Sequence, residues 1–267
     1  MNKTLNKDKK RYSLYKQIKE NKSTFIVYLI LRVLVVLALV IALLRHDYES
    51  VFVCCLSLIM FIVPAFVQKN FGIELPSTLE IFILLFIFAA EILGEMESFY
   101  VKYPFWDTML HTINGFLCAA VGFALLDIIN RNSKVKFKLS PVYLAIVAFC
   151  FSMTIGVLWE FFEFSCDVFL HTDMQKDFII GNIYSVMLNP ENNNKAIAVK
   201  NITEVSVNGE MLPVNGYLDI GLYDTMKDLL VNFIGAVVFS FIGYFYIKSR
   251  GKSKFASRFI PMLKDDE

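Results

Sequence analysis

Six runs of about 20 apolar residues dominate this 267-residue chain, at about 23–44, 50–67, 78–98, 106–129, 141–169 and 221–247. At 1.5 Å per residue, a helix needs roughly that length to cross about 30 Å of hydrocarbon. Lipid offers no partner for backbone N–H and C=O groups, so each run must satisfy its own, and a helix does so. With 56% hydrophobic and only 19% charged residues, the chain lacks the polar surface to cover a soluble core of this size. The expected fold is an all-α polytopic membrane protein: a six-transmembrane-helix bundle with a small extracellular loop, or β-hairpin, as an insertion. The first run is longer than a signal-peptide core, and no small-residue cleavage site follows it.

Charge orients the bundle. Lys and Arg gather in residues 1–22 (Lys3, Lys7, Lys9, Lys10, Arg11, Lys16, Lys19, Lys22), after the fourth run (Arg131, Lys134, Lys136, Lys138) and in 248–267 (Lys248, Arg250, Lys252, Lys254, Arg258, Lys264). The alternate loops hold Arg45, Lys102, Lys176, Lys195 and Lys200. The positive-inside rule then predicts a multi-pass membrane protein with both termini cytoplasmic, and six spans is the even number this requires. The expected organisation is a basic cytoplasmic tail (1–22), helices one to five (23–170), an extracellular loop (171–220), helix six (221–247) and a second basic tail (248–267). The bilayer is the expected partner, and no nucleic acid is expected.

Within 171–220, Asn189-Pro190 and Asn192-Asn193-Asn194 mark turns. Val205-Ser206-Val207, Asn208-Gly209 and Glu210-Met211-Leu212 together predict a hairpin with a two-residue turn. The five cysteines, Cys54, Cys55, Cys118, Cys150 and Cys166, all fall inside the apolar runs. They read as small apolar packers, with neither disulfide nor zinc-ligand spacing.

Acids inside apolar runs are the chemically informative feature. Glu91 and Glu95 lie on the third run, Asp107, His111 and Asn114 on the fourth, Glu160 and Glu163 on the fifth, and Asp224, Asp228 and Asn232 on the sixth. Spacings of three and four put the members of each set on one helical face. The inferred orientation assigns these groups to the outer half of the bilayer, with Glu91 near mid-depth. An acid at the centre of a span costs roughly 2.5–3.5 kcal/mol on insertion scales, so such groups are expected to face the interior or a wet cavity. Crowded carboxylates need a cation, protons or water to compensate their charge. The expectation is a polar cavity, in which Asp107, His111, Glu160 and Asp228 form a ligand set that admits a divalent metal ion. Against this, acids at helix starts such as Asp107 and Asp224 also suit the helix dipole. Arg32 is expected to snorkel toward the headgroups, Asp127 to be interfacial, and Gly115, Gly122, Gly235 and Gly243 to serve close helix packing.

The blocks Asp107-Thr108-Met109-Leu110-His111, Trp159-Glu160-Phe161-Phe162-Glu163, Asp173-Met174-Gln175-Lys176-Asp177 and Gly216 to Asp228 resemble the bacterial YjdF-like inner-membrane family, in its membrane-spanning Firmicutes branch. That resemblance runs from about 78 to 247 and implies a membrane protein without naming a reaction. A weaker similarity is to VanZ-like proteins, whose pattern Asp107/His111, Glu160/Glu163 and Asp228/Asn232/Gly235 fit. This chain departs in having Glu at 163, where Gln is usual, and in the 171–220 insertion. The VanZ-like resemblance implies cell-envelope physiology.

Three functional readings stay open at this point. The first is binding or transport of a cation, proton or small envelope-related solute. The second is an intramembrane enzyme acting on a lipid-linked substrate, with His111 or Glu160 as acid or base, or with a metal activating water. No nucleophile motif supports it, and Ser152, Ser165 and Cys166 are too ordinary to nominate. The third is an accessory or scaffold subunit in which polar residues clamp helices.

Overall fold

A computed structural model describes residues 22–131, 138–191, 193–249 and 252–263. Expectations resting on Lys3 to Lys19, Lys134, Lys136, Asn192, Arg250 and Lys264 lie outside the described residues. The chain is mostly helical, at 69%. Among the described residues, six helices are long and apolar enough to cross a membrane: Lys22–Arg45, Tyr48–Asn70, Ser77–Met96, Trp106–Asn130, Pro141–Leu170 and Leu222–Lys248.

In chain order, α1 (Lys22–Arg45) is followed by α2 (Tyr48–Met60), α3 (Val63–Phe71), β1 (Ile73–Glu74) and α4 (Ser77–Phe88). A π-helical segment (Ala89–Met96), a short α5 (Phe99–Lys102), α6 (Trp106–Arg131) and α7 (Pro141–Leu170) come next. Asp47 starts α2 by accepting from the Ser50 N–H at 3.1 Å and its hydroxyl at 2.6 Å, which satisfies one of the helix's orphan donors. The second span, Tyr48–Asn70, carries an internal break between α2 and α3. It breaks at Phe61–Ile62, because Pro64 has no N–H to return to the preceding turn and its ring crowds that turn.

Two compact units emerge, residues 1–155 with 231–267 and residues 156–230. In the first unit, Leu31 and Val35 of α1, Cys54 of α2, Leu84 and Ile87 of α4, and Ile92 form one buried cluster with Phe61. Leu29, Ile30, Val33, Leu37 and Ile41 of α1 are exposed, an arrangement that suits a lipid surround and not water. Arg32 donates to the Tyr28 hydroxyl and stands 5.4 Å from that ring. Its head is thereby drawn toward the start of α1, as a snorkelling arginine would be.

The second cluster of this unit joins Leu79, Leu117, Phe123, Ala148 and Phe239. The last of these belongs to α8 (Leu222–Lys248). Residues 252–263 also enter it, through Ala256, Phe259 and Ile260. The Phe259 ring meets Phe116 edge-on at 5.4 Å and Phe82 at 5.9 Å, and β8 (Met262–Leu263) pairs antiparallel with β1. Here α6 and α8 touch backbone to backbone. A Cβ on Gly115 would fall on the Asn232 carbonyl, and one on Gly235 on the Thr112 carbonyl. Gly122 and Gly243 are similarly tight, each 2.7 Å from a phenylalanine at the position of an added Cβ, so all four glycines serve close packing as expected.

The second unit contains the predicted hairpin. Strands β5 (Ser206–Val207) and β6 (Glu210–Met211) pair around Asn208 and Gly209, whose φ angles of 54° and 88° are those of a tight I′ turn. Two further pairs, β2 (Ile179–Ile180) with β7 (Tyr217–Leu218) and β3 (Asn182–Ser185) with β4 (Ile197–Lys200), were not anticipated. No disulfide joins the five cysteines, all of which lie among the described residues.

Gly235→Ala is expected to destabilise the first unit by about 1–3 kcal/mol, the usual cost of overpacking. Gly181→Ala, where an added Cβ meets nothing within 4 Å, should be close to neutral. Thermal unfolding in detergent checks both.

Candidate functional site

Each candidate is best followed within its own unit. In the first, α6 opens with Trp106, whose indole donates to the Ala89 carbonyl at 3.3 Å and whose ring meets Phe99 edge-on at 4.9 Å. That pinning fixes the first turn of α6, and one turn separates Asp107 from His111. The His111 Nε2 atom lies 3.4 Å from an Asp107 carboxylate oxygen, and each residue is 9% exposed. A carboxylate and an imidazole at that distance can exchange a proton, or offer one oxygen and one nitrogen donor to a cation.

Glu91 is 3% exposed and sits on the π-helical segment. Such segments often accompany functional sites. Its wide turn is seen in the Glu97 N–H, which returns to the Ile92 carbonyl five residues back at 3.1 Å. Among the described residues, Glu91 has no hydrogen-bond or ion-pair partner. Glu95, the other member of that pair, is half-buried. Nothing in the apolar run announced the π geometry except Gly94, where an added Cβ would strike the Tyr100 ring.

Two turns further along α6, the Asn114 amide donates to the Asn232 side-chain oxygen at 3.1 Å. The Asn232 amide points to the Met153 sulfur at 3.6 Å, and the Cys118 thiol to Asn114 at 3.4 Å. Ser152 is wholly buried and donates to the Gly115 carbonyl at 2.7 Å, so its hydroxyl serves packing. Asp127, read from sequence as interfacial, is enclosed by protein at 3% exposure.

In the second unit, Glu160 and Glu163 are buried, and the Trp159 indole donates to Glu163 at 2.7 Å. Three further acids hold backbone. Asp167 accepts from the Met174 and Gln175 N–H groups at 2.6 and 2.9 Å. Asp219 accepts from those of Phe178 and Tyr223, both at 2.7 Å. Asp224 accepts from Lys176 N–H at 2.9 Å. Residues 173–178 are thus stitched to the start of α8, and Gly221, with φ of 87° and Gln175 against it, keeps that seam tight. Lys227 lies 3.4 Å from Asp224 and 3.7 Å from Asp228, with its ammonium 5.2 Å from the Phe178 ring centre.

The structure therefore brings Asp107 to His111 and Asn114 to Asn232 in the first unit, and Asp224, Lys227 and Asp228 together in the second. Sequence reasoning nominated neither Lys227 nor Asp219, although both lie in the Gly216 to Asp228 block. Asp224, nominated as a cavity acid, has a structural task as a backbone acceptor.

Outside the spans, burial pushes the Asp177 carboxyl up from its ordinary range, with Asp173, Asp219 and Asp167 adding repulsion against the pull of Lys176. Because the folded pKa is the higher one, the carboxylate opposes folding increasingly as pH rises through its ordinary value toward the raised one, and fully above that. Asp177→Asn is expected to slow proteolysis of the 171–220 region at neutral pH, with no difference from the parent below about pH 3.9, the ordinary value.

A family described as "Predicted membrane protein (DUF2238)" matches residues 26–249. The chain is also similar to an uncharacterized protein of Thermotoga maritima, at 28% identity over 97 residues, covering 36% of this chain and 48% of that protein. It thus spans about half the length of that curated relative. No solved structure matches.

Proposed function

We propose, on the premise that this chain belongs to the DUF2238 family of predicted membrane proteins, that it binds or transports a cation, a proton or a small envelope-related solute through its buried acids. The observation that carries the reading is the Asp107 and His111 pair, 3.4 Å apart within a membrane-length helix. Ionisable groups in such helices are costly and mark ion or substrate paths. Uptake of a monovalent cation with release of one proton from this pair would leave the net charge of the site unchanged, and a divalent ion would raise it by one.

The positive-inside distribution supports cytoplasmic termini and an outward-facing site in a bacterial cytoplasmic membrane. The YjdF-like resemblance agrees with this, and the VanZ-like one favours an envelope-related solute. A divalent ion is the cofactor such donors suit, with Asp107 and His111 as its first ligands. Glu160 and Asp228 are carried forward as further ligands from their spacing in the sequence. The scaffold reading has its own support in the Asn114 to Asn232 hydrogen bond, which acts between helices whatever the acids do.

The test pairs metal analysis of detergent-purified protein with ion and proton flux in proteoliposomes. Asp107→Asn and His111→Gln should each abolish stoichiometric metal or reduce flux by at least tenfold, about 1.4 kcal/mol, with thermal stability retained. Glu160→Gln and Asp228→Asn, assayed separately, report whether acids of the second unit take part. A parent protein that holds no metal and supports no flux, with variants of unchanged phenotype, defeats the proposal in favour of the scaffold.

A further inference from the structure

A groove of about 760 Å³ runs beside the end of α8 and is also lined by Ser253 and Phe255. We infer that it binds one anionic phospholipid, with an acyl chain along its aromatic floor and the phosphate at its basic end. This inference is independent of the acids discussed above.

The floor is apolar: Phe241, Phe245 and Phe255 line it, and all three are exposed in the protein alone, at 62%, 58% and 55%. The opposite end carries Lys248, Ser249 and Ser253. Along α8, from Phe241 to Ser249, the groove extends about 12 Å at 1.5 Å per residue. One leaflet contributes about 15 Å of hydrocarbon, so the groove has the reach of an acyl chain lying beside a helix and ending at the headgroups.

The polar end selects the headgroup. Lys248 is exposed, with its ammonium 5.6 Å from the Tyr244 ring centre, and Lys252 and Lys254 flank Ser253 in the chain, both exposed. The Ser249 hydroxyl is spent on the Tyr246 carbonyl at 2.9 Å. Ser253 instead uses its oxygen as an acceptor, from the Ala256 N–H at 3.4 Å, which leaves its O–H to donate to a phosphate oxygen. The segment carrying Ser253 and Phe255 is not a loose tail. Ala256, Phe259 and Ile260, just beyond it, are buried in the core, and β8 is paired to β1. A fixed lining, an apolar floor and a cationic end fit an amphiphile with a negative head, as basic pockets at helix ends do.

Native mass spectrometry of the full chain, given equal amounts of phosphatidylglycerol and phosphatidylcholine, tests this. One phosphatidylglycerol is expected to be retained in preference, and Lys248→Gln should cut that preference about fivefold, the worth of one basic residue at a membrane surface. Phe245→Ala should weaken retention of both lipids. Lys102→Gln, an exposed lysine past the other end of the Ser77–Met96 span, should change neither. Equal retention of the two lipids, a preference that survives Lys248→Gln, or an equal loss with Lys102→Gln would each overturn the site, the last by making the attraction diffuse.

Discussion

The contact on which the first unit depends is the backbone approach of α6 to α8 at Gly115 and Gly235. Lipid tails are as apolar as leucine, so helices gain little from mutual burial in a bilayer and associate through close packing and hydrogen bonds instead. Removing two side chains lets the Thr112 and Asn232 carbonyls sit where Cβ atoms would otherwise be. Asn114 and Asn232 then add a directional side-chain bond between the same two helices. Ser152 brings α7 to the same level by donating to the Gly115 carbonyl. The level of Asp107 and His111 is set by that junction, because they lie on α6 one and two turns before Gly115.

Most of the architecture is legible in the sequence because its rules are those of a solvent without hydrogen bonds. Six apolar runs of the required length became six helices of the required length, with ends shifted by only a few residues. Asn208-Gly209 gave its turn away because both positions need positive φ. The break at Phe61–Ile62 was also written, in Pro64, but an uninterrupted apolar run hides a proline from any argument based on hydropathy. The π-helical segment is marked only by Gly94, whose missing side chain leaves room for the Tyr100 ring, a signal too slight to read from the run alone.

The acids divide by what the chain asks of them. Spacing identified those that would be costly, and Glu91, Asp107, Glu160, Glu163, Asp224 and Asp228 are all buried. Spacing does not reveal which buried acid is a backbone acceptor. Asp167, Asp219 and Asp224 each take N–H groups from residues 174–178 or from Tyr223, a task that depends on how a 50-residue excursion folds back, not on helical periodicity. The blocks that carried the family resemblance are partly these seams. A motif shared within a family can therefore mark a fastening as readily as a reaction.

The pairing of Ile73 with Leu263 and of Glu74 with Met262 has a consequence for biogenesis. Residues 252–263 leave the ribosome after all six hydrophobic helices, yet they supply Phe259 and Ile260 to the core beside α4. The helices would be threaded into the bilayer while one side of that core stays open, awaiting its last aromatic ring. Closing the loop that runs from Glu74 to Met262 is slow compared with forming a helix. An interval of incomplete assembly is thus built into synthesis, when quality-control proteases can still reach the unfilled end.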